Sequence, residues 1–233
     1  LEAMVHEDGL HGGAARDYGL SVAAAKYIAN AMVYDDVIRV ADLKTRATRF
    51  SRIRNEFSVG DDSVLQLTEF LHPGAQEVCA MFPVRLGRLV ERSPRLFNWL
   101  DRMINRGRRI RTDKVIGFMQ LYLIAGLRRW RRRLLRHAVE QQHMQTWLGS
   151  VLQTLPGDYD LAVEMLRCRR LVKGYSDTHA RTLSKFDRVM AAAIDLRDSA
   201  NAADWVRRLC TAAMREEDEG ALEEVLHAIK RVH

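Results

Sequence analysis

Apolar residues recur along most of this chain at three- and four-residue steps. That spacing limits the possible folds more than any other feature, because it gathers apolar side chains into one stripe only on a 3.6-residue helix. Across residues 35–57 the stripe is Val37, Val40, Leu43, Ala47, Phe50, Ile53 and Phe57, and Arg39, Arg46, Arg49 and Arg52 fall largely off it. Near the C-terminus Leu222, Val225, Leu226 and Ile229 stay in register. Glu216, Glu217, Asp218 and Glu219 precede them and Lys230 and Arg231 follow, which matches the sign of the helix dipole at both ends.

The intervening punctuation predicts further helices over 21–33, opened by Ser21; 61–71, capped by Asp61 or Asp62; and 73–81, with Pro73 in a first turn. Helices over 83–92 and 94–104 follow, each opened by a proline in the position a helix tolerates. Asp113 then caps a long stretch reaching about residue 155, interrupted only by Gly117, Gly126 and Gly149 and closed by Pro156-Gly157. A continuous helix there would run roughly 60 Å, so a break or kink is expected. Helices over 158–172, 177–196, 201–214 and 217–232 complete the series. No alternating run is bounded by an Asn-Gly or Asp-Gly turn, so no strand is expected. The expected fold is all-α and bundle-like, with roughly nine or ten helices and one long central helix. Residues 1–15 have polar, Gly-containing composition without periodicity. They are expected to be a flexible leader, cut from a longer precursor or appended, ahead of a single helical domain over 16–233. Residues 187–233 read either as part of that domain or as a C-terminal helical extension.

Composition adds exclusions. With 47% apolar and 29% charged residues, the chain can build a sizeable core and is not disordered. Cys79, Cys168 and Cys210 are odd in number, far apart and without a Cys-x-x-Cys pair. This argues against a disulfide framework and against a zinc or iron–sulfur ligand set, and predicts buried reduced thiols. No stretch reads as a secretory signal. The longest apolar run, 115–127, includes Gln120 and falls short of the ~20 residues that span a bilayer. It reads as a buried core helix, and the chain as cytoplasmic.

Charge is segregated. From Arg85 to Arg136 there are 16 Lys and Arg against Glu91, Asp101 and Asp113, a balance of +13 within a chain of net charge +7. The densest cluster, Arg128, Arg129, Arg131, Arg132, Arg133 and Arg136, covers more than one helix face. These arginines could be neutralised by acids of the same chain, with their stems packed over the core. They could also meet an acidic subunit or a phosphate-bearing small molecule, since the guanidinium fork suits carboxylate and phosphate oxygens. Nucleic acid is an alternative candidate, with Trp130 able to stack a base, although no helix-turn-helix, zinc-finger or RNA-recognition signature is present. A basic cluster beside an apolar helix also resembles a membrane-surface anchor.

Catalytic signatures are sparse. There is no Gly-x-Gly-x-x-Gly, no Gly-x-x-x-x-Gly-Lys-Ser/Thr and no Gly-x-Ser-x-Gly. His137 and Glu140 share a helix face with His143 off it, which is too little for a metal site. The most unusual stretch is 167–185 (RCRRLVKGYSDTHARTLSK), where Gly174 can end one helix and Asp177 can cap the next. Arg170, Lys173, Tyr175, Asp177, His179 and Arg181 crowd this turn. They make it a candidate site for an anion or a partner loop, a remote candidate for acid–base work by His179 and Asp177, or simply a capped helix–helix turn. Glu69, His72 and Lys44 form a fainter grouping.

Residues 36–50, 68–79, 126–142 and above all 161–186, with Lys173-Gly174-Tyr175-Ser176-Asp177-Thr178-His179, resemble the helical C-terminal region of indolepyruvate oxidoreductase subunits, a branch of the 2-oxoacid:ferredoxin oxidoreductases. The resemblance covers roughly residues 27–190. It implies an assembly that oxidatively decarboxylates aryl-2-oxoacids to acyl-CoA with thiamine diphosphate, Mg²⁺ and iron–sulfur clusters. This chain holds neither a thiamine-diphosphate Gly-Asp-Gly motif nor a cysteine cluster. The implied role is therefore a non-catalytic helical module, itself without a cofactor, whose partner is the catalytic oxidoreductase domain or subunit. The alternative from the residues alone is a basic helical module for nucleic acid.

Overall fold

The computed structural model describes residues 1–34, 36–60, 63, 65–71, 74–104, 107–174, 176–215 and 220–232. Among these, thirteen α-helices and one two-stranded sheet make up most of the regular structure, with short 3₁₀ turns between them, so the fold is essentially all-α. The first half contains α1 (Glu2–Leu10), α2 (Gly19–Met32), α3 (Val37–Thr45), α4 (Ala47–Glu56), β1 (Thr68–Leu71), α5 (Ala75–Ala80), α6 (Val84–Arg92) and α7 (Pro94–Ile104). The second contains β2 (Arg108–Arg111), α8 (Val115–Gly126), α9 (Leu135–Thr154), α10 (Tyr159–Arg167), α11 (Ser176–Asp195), α12 (Ala202–Met214) and α13 (Ala221–Val232). The chain divides into two compact units, residues 1–34 with 142–233 and residues 35–141, where a single domain was expected.

The discontinuous unit owns the large core. Leu20 and Ala24 of α2, Val151 of α9, Leu161, Met165 and Leu166 of α10, Val189 of α11 and Leu209 of α12 are all fully or almost fully buried in one cluster. α10 lies at its centre, buried on nearly every side against α2 and α12. That is why its apolar residues do not form a narrow stripe. Its buried acid, Glu164, is 2% exposed and is held by Arg167 at 2.8 Å and Arg207 at 3.0 Å, so the charge is paired where it has left water. Residues 187–233 are no appendage, since Val189, Val206, Leu209, Leu222 and Ile229 belong to the same core.

The first fifteen residues are not a flexible leader either. Residues 2–10 are helical, with Met4 and Asp8 buried. The carboxylate of Asp8 accepts the backbone N–H of Ser21 at 2.8 Å and the hydroxyl of Tyr159 at 2.7 Å, and the Tyr159 oxygen in turn accepts the Leu20 N–H at 3.0 Å. The chain enters α2 through Tyr18 at φ 51°, so no local side chain caps the helix. Asp8 and Tyr159 satisfy its first N–H groups from a distance. A carboxylate 13 residues upstream and a phenol 139 residues downstream leave no capping pattern in the local sequence.

In the 35–141 unit, α3 packs on α8 around Ala41, Leu121 and Ala125, with Leu71, Ile110 and Ile124 at the margin. Three expectations fail here. The single helix over 35–57 breaks at Arg46, whose ψ of 135° separates α3 from α4, and Arg46 turns back to pair with Asp42 at 2.5 Å. Among the described residues of 61–71 there is no helix. Residues 68–71 instead form β1, paired antiparallel with β2 in the register Thr68↔Arg111 and Leu71↔Arg108, and the Thr112 N–H extends the ladder to the Leu67 carbonyl at 2.9 Å. Asp61, Asp62, His72 and Pro73, cited in those expectations, lie outside the described residues.

The long central helix is also two helices. After α8 the chain makes 3₁₀ turns at 127–129 and 131–133, then Leu134 is extended. The Leu135 N–H bonds the Phe82 carbonyl at 2.9 Å, and Leu134 bridges Pro83. A tertiary hydrogen bond thus replaces a helical one where five arginines in six residues would crowd like charges on a regular helix.

Candidate docking surface

The six arginines divide into two groups. Arg128 pairs with Asp42 at 2.8 Å, Arg131 with Asp36 at 2.7 Å and Arg136 with Glu140 at 2.8 Å, so half of the cluster is neutralised within its own unit. Burial works against the charge of Asp42, but hydrogen bonds from Arg46 and Arg128 outweigh it and hold the carboxyl below its usual range. Arg129, Arg132 and Arg133 are exposed and make no ion pair with a described residue. Trp130, between them in sequence, is 63% exposed. Burial first, then the cations of Arg132 and Arg131, push the His137 imidazole below its ordinary value, so it is neutral at physiological pH.

The helix preceding this cluster reverses an expectation. The run 115–127 was read as core, yet only Leu121 and Ala125 of α8 are buried. Val115 is 79% exposed, Ile116 75% and Leu123 67%, with Met119 and Tyr122 exposed beside them. α8 approaches β2 so closely that a Cβ on Gly117 would lie 2.1 Å from the Arg111 carbonyl oxygen. One face is therefore pressed onto α3 and β2, and the opposite face keeps its apolar side chains in solvent. The α6 and α7 helices repeat the pattern, with Leu86, Leu89, Leu96, Trp99 and Met103 exposed. Net charge adds to it: residues 35–141 hold 22 Lys and Arg against 12 Asp and Glu, a balance of +10, which leaves the other unit at −3.

The turn at 168–182 is closed on itself. The Thr182 hydroxyl donates to the Lys173 carbonyl at 3.0 Å and accepts the Lys173 N–H at 3.3 Å, and Gly174 sits at φ +77° with Thr178 packed against it. His179 is buried, Arg170 half-buried, and Lys173 and Arg181 exposed. Tyr175 and the side chain of Asp177 lie outside the described residues. Of the fainter grouping, Glu69 is buried and holds Lys44 together with Arg49. Arg169, in the 3₁₀ turn after α10, donates to Nδ1 of His143 on α9 at 3.0 Å, and Asp187 of α11 lies 3.4 Å from Nε2. Both ring nitrogens are engaged, and no cluster of three or more His, Cys, Asp or Glu side chains able to hold a metal occurs among the described residues. A cavity of ≈ 380 Å³ lies between α12 and α13, lined by Arg207, Arg208, Thr211, Arg215, Glu224 and Val225, none of them a site candidate from the sequence. Among the described residues no helix is long and apolar enough to cross a membrane.

Residues 4–192 match the family described as "Family of unknown function (DUF6537)". The chain belongs to the DUF6537 family. The DUF6537 match takes in the whole 35–141 unit, the exposed arginines, the face of α8 and the turn at 168–182, and it ends within α11. α12 and α13 lie beyond it. Comparison with curated proteins and with solved structures returns no match.

Proposed function

We propose that this chain is a non-catalytic helical docking module of an indolepyruvate-type 2-oxoacid:ferredoxin oxidoreductase, in which α8 and the arginines after it bind the catalytic part of the enzyme. The observation that carries the reading is the apolar face of α8, with Val115, Ile116 and Leu123 each more than two-thirds exposed. Apolar surface gathered on one element and flanked by uncompensated charge fits an interface better than open solvent. The oxidoreductase setting rests on the resemblance carried by residues 161–186. In such an assembly thiamine diphosphate, Mg²⁺ and iron–sulfur clusters sit in the catalytic part, which decarboxylates aryl-2-oxoacids to acyl-CoA in the cytoplasm. This chain supplies contact surface. Its aliphatic side chains desolvate against the partner, and Arg129, Arg132 and Arg133 take carboxylates at the rim.

Co-purification with the catalytic domain or subunit tests this. Ile116→Asp/Leu123→Asp is expected to weaken association at least tenfold, about 1.4 kcal/mol, and Arg129→Glu/Arg132→Glu/Arg133→Glu to weaken it and flatten its salt dependence. Association unchanged by both variants, or absent for the natural chain, rejects the docking reading. Exposed Trp130 beside three exposed arginines supports one other reading, a nucleic-acid-binding module. Retention of the chain on DNA or RNA at ~100 mM salt, abolished by the triple arginine variant, would favour that reading instead.

A further inference from the structure

Cys168 follows the last turn of α10 and Cys210 lies on α12, 42 residues later in sequence, and their sulfur atoms stand 2.7 Å apart. Both side chains are fully buried. An S–S bond is ~2.05 Å long, so the two sulfurs already lie within an ångström of bonding distance. The surrounding packing fixes that approach. Met165 and Leu166 precede Cys168, Val206 and Leu209 precede Cys210, and all four are fully buried in the same core.

We propose that Cys168 and Cys210 form a disulfide that ties α12 to the end of α10. The oxidant is a small-molecule disulfide of the glutathione class. One cysteine, as its thiolate, attacks a sulfur of that disulfide and expels a glutathione thiolate, which takes up the proton released from the cysteine. The second cysteine loses its proton and attacks the protein sulfur of the mixed disulfide, expelling the second glutathione. Two protein thiols are thereby oxidised to one disulfide, and one small disulfide is reduced to two thiols. Burial, followed by the neighbouring Cys210, pushes the Cys168 thiol well above its ordinary value. The attacking thiolate is therefore scarce until α12 opens from the core, and the finished bond is shielded from external thiols by the same packing.

The consequence lies at the edge of the family match. Residues 4–192 match DUF6537, and Cys210 lies outside them, so the bond would clamp α12 onto the matched core. This inference stands apart from the docking proposal and uses none of the residues of α8 or of the arginine cluster.

The test uses the full chain, refolded from denaturant in a buffer of oxidised and reduced glutathione, then denatured, alkylated and weighed intact. The expected product carries one alkylated cysteine, Cys79, against three after reduction, and peptide mapping joins the segments holding residues 168 and 210. Its melting temperature is expected to exceed that of the reduced chain by roughly 5–15 °C. Cys210→Ala, or Cys168→Ser should that variant fail to fold, is expected to return two alkylated cysteines and to lose the redox-dependent shift. Three alkylatable thiols in the oxidised natural chain, or a bond that involves Cys79, overturns the proposal.

Discussion

Asp8 gathers several effects into one carboxylate. It is fully buried, yet it is a hydrogen-bond acceptor for Ser21 and Tyr159. Burial raises its pKa and the bonds from Ser21 and Tyr159 lower it, and the bonds prevail, so the carboxyl sits below its ordinary value of 3.8. A group depressed on folding contributes stability that is complete above its unfolded value and is lost as the pH falls through the folded one. Asp8→Ala strands two buried donors and is expected to cost about 2–4 kcal/mol in urea unfolding at pH 7. The gap between natural chain and variant should narrow below the ordinary carboxylate range, and a gap constant down to pH 3 would remove the electrostatic part of the account. None of this was legible beforehand. Asp8 lies in a polar stretch without period, and its partners come from 13 and 151 residues away. Arg129, Arg132 and Arg133 are the opposite case: their density was plain in the sequence, but which half of the cluster would find acids depended on where Asp36 and Asp42 fold.

Helices opened by proline were read nearly to the residue, as α6 and α7 attest, because each boundary is written in residues that sit beside it; the helix expected over 158–172 ends instead at Arg167, before a 3₁₀ turn at 168–171. The pairing of β1 with β2 was not readable. Its partners are separated by about 40 residues, and TEFL and RRIR are too short and too charged to announce strands. The exposed face of α8 was misread for a related reason. A helix apolar all round reads as buried, and only its neighbours decide whether it is. Close approach to β2 gives a sharp test of that packing. In an open helix Gly→Ala gains about 1 kcal/mol, but the Cβ of Gly117→Ala would overlap the Arg111 backbone, which has no side-chain freedom to move aside. The overlap should prevail, and Gly117→Ala is expected to lower the melting temperature of the 35–141 unit by several degrees. Gly126→Ala on the same helix, with nothing within 4 Å of its Cβ, is expected to be neutral or stabilising. A stabilised Gly117→Ala would show that α8 does not lie against β2.

At the scale of the whole chain, the two units differ in how much apolar surface they bury. The core of residues 1–34 and 142–233 draws on seven helices, whereas the 35–141 unit closes a small cluster around Ala41, Leu121 and Ala125, buries Ile38, Cys79 and Leu135 besides, and leaves much of α6, α7 and α8 in water. Burial supplies the larger part of stability, so the 35–141 unit should melt first. Calorimetry is expected to show two transitions, and hydrogen exchange to be faster throughout 35–141. A single transition with equal calorimetric and van't Hoff enthalpies would refute the separation. The discontinuity of the larger unit also bears on synthesis. α2 emerges from the ribosome early, but α10, against which it packs, follows only after the intervening unit. At ~5–20 residues per second, the face carrying Leu20, Ala24 and Tyr27 waits roughly 7–28 s for Tyr159 and the rest of α10, 139 residues further on. Until then that face is exposed apolar surface, although in the finished molecule Leu20 and Ala24 are fully buried.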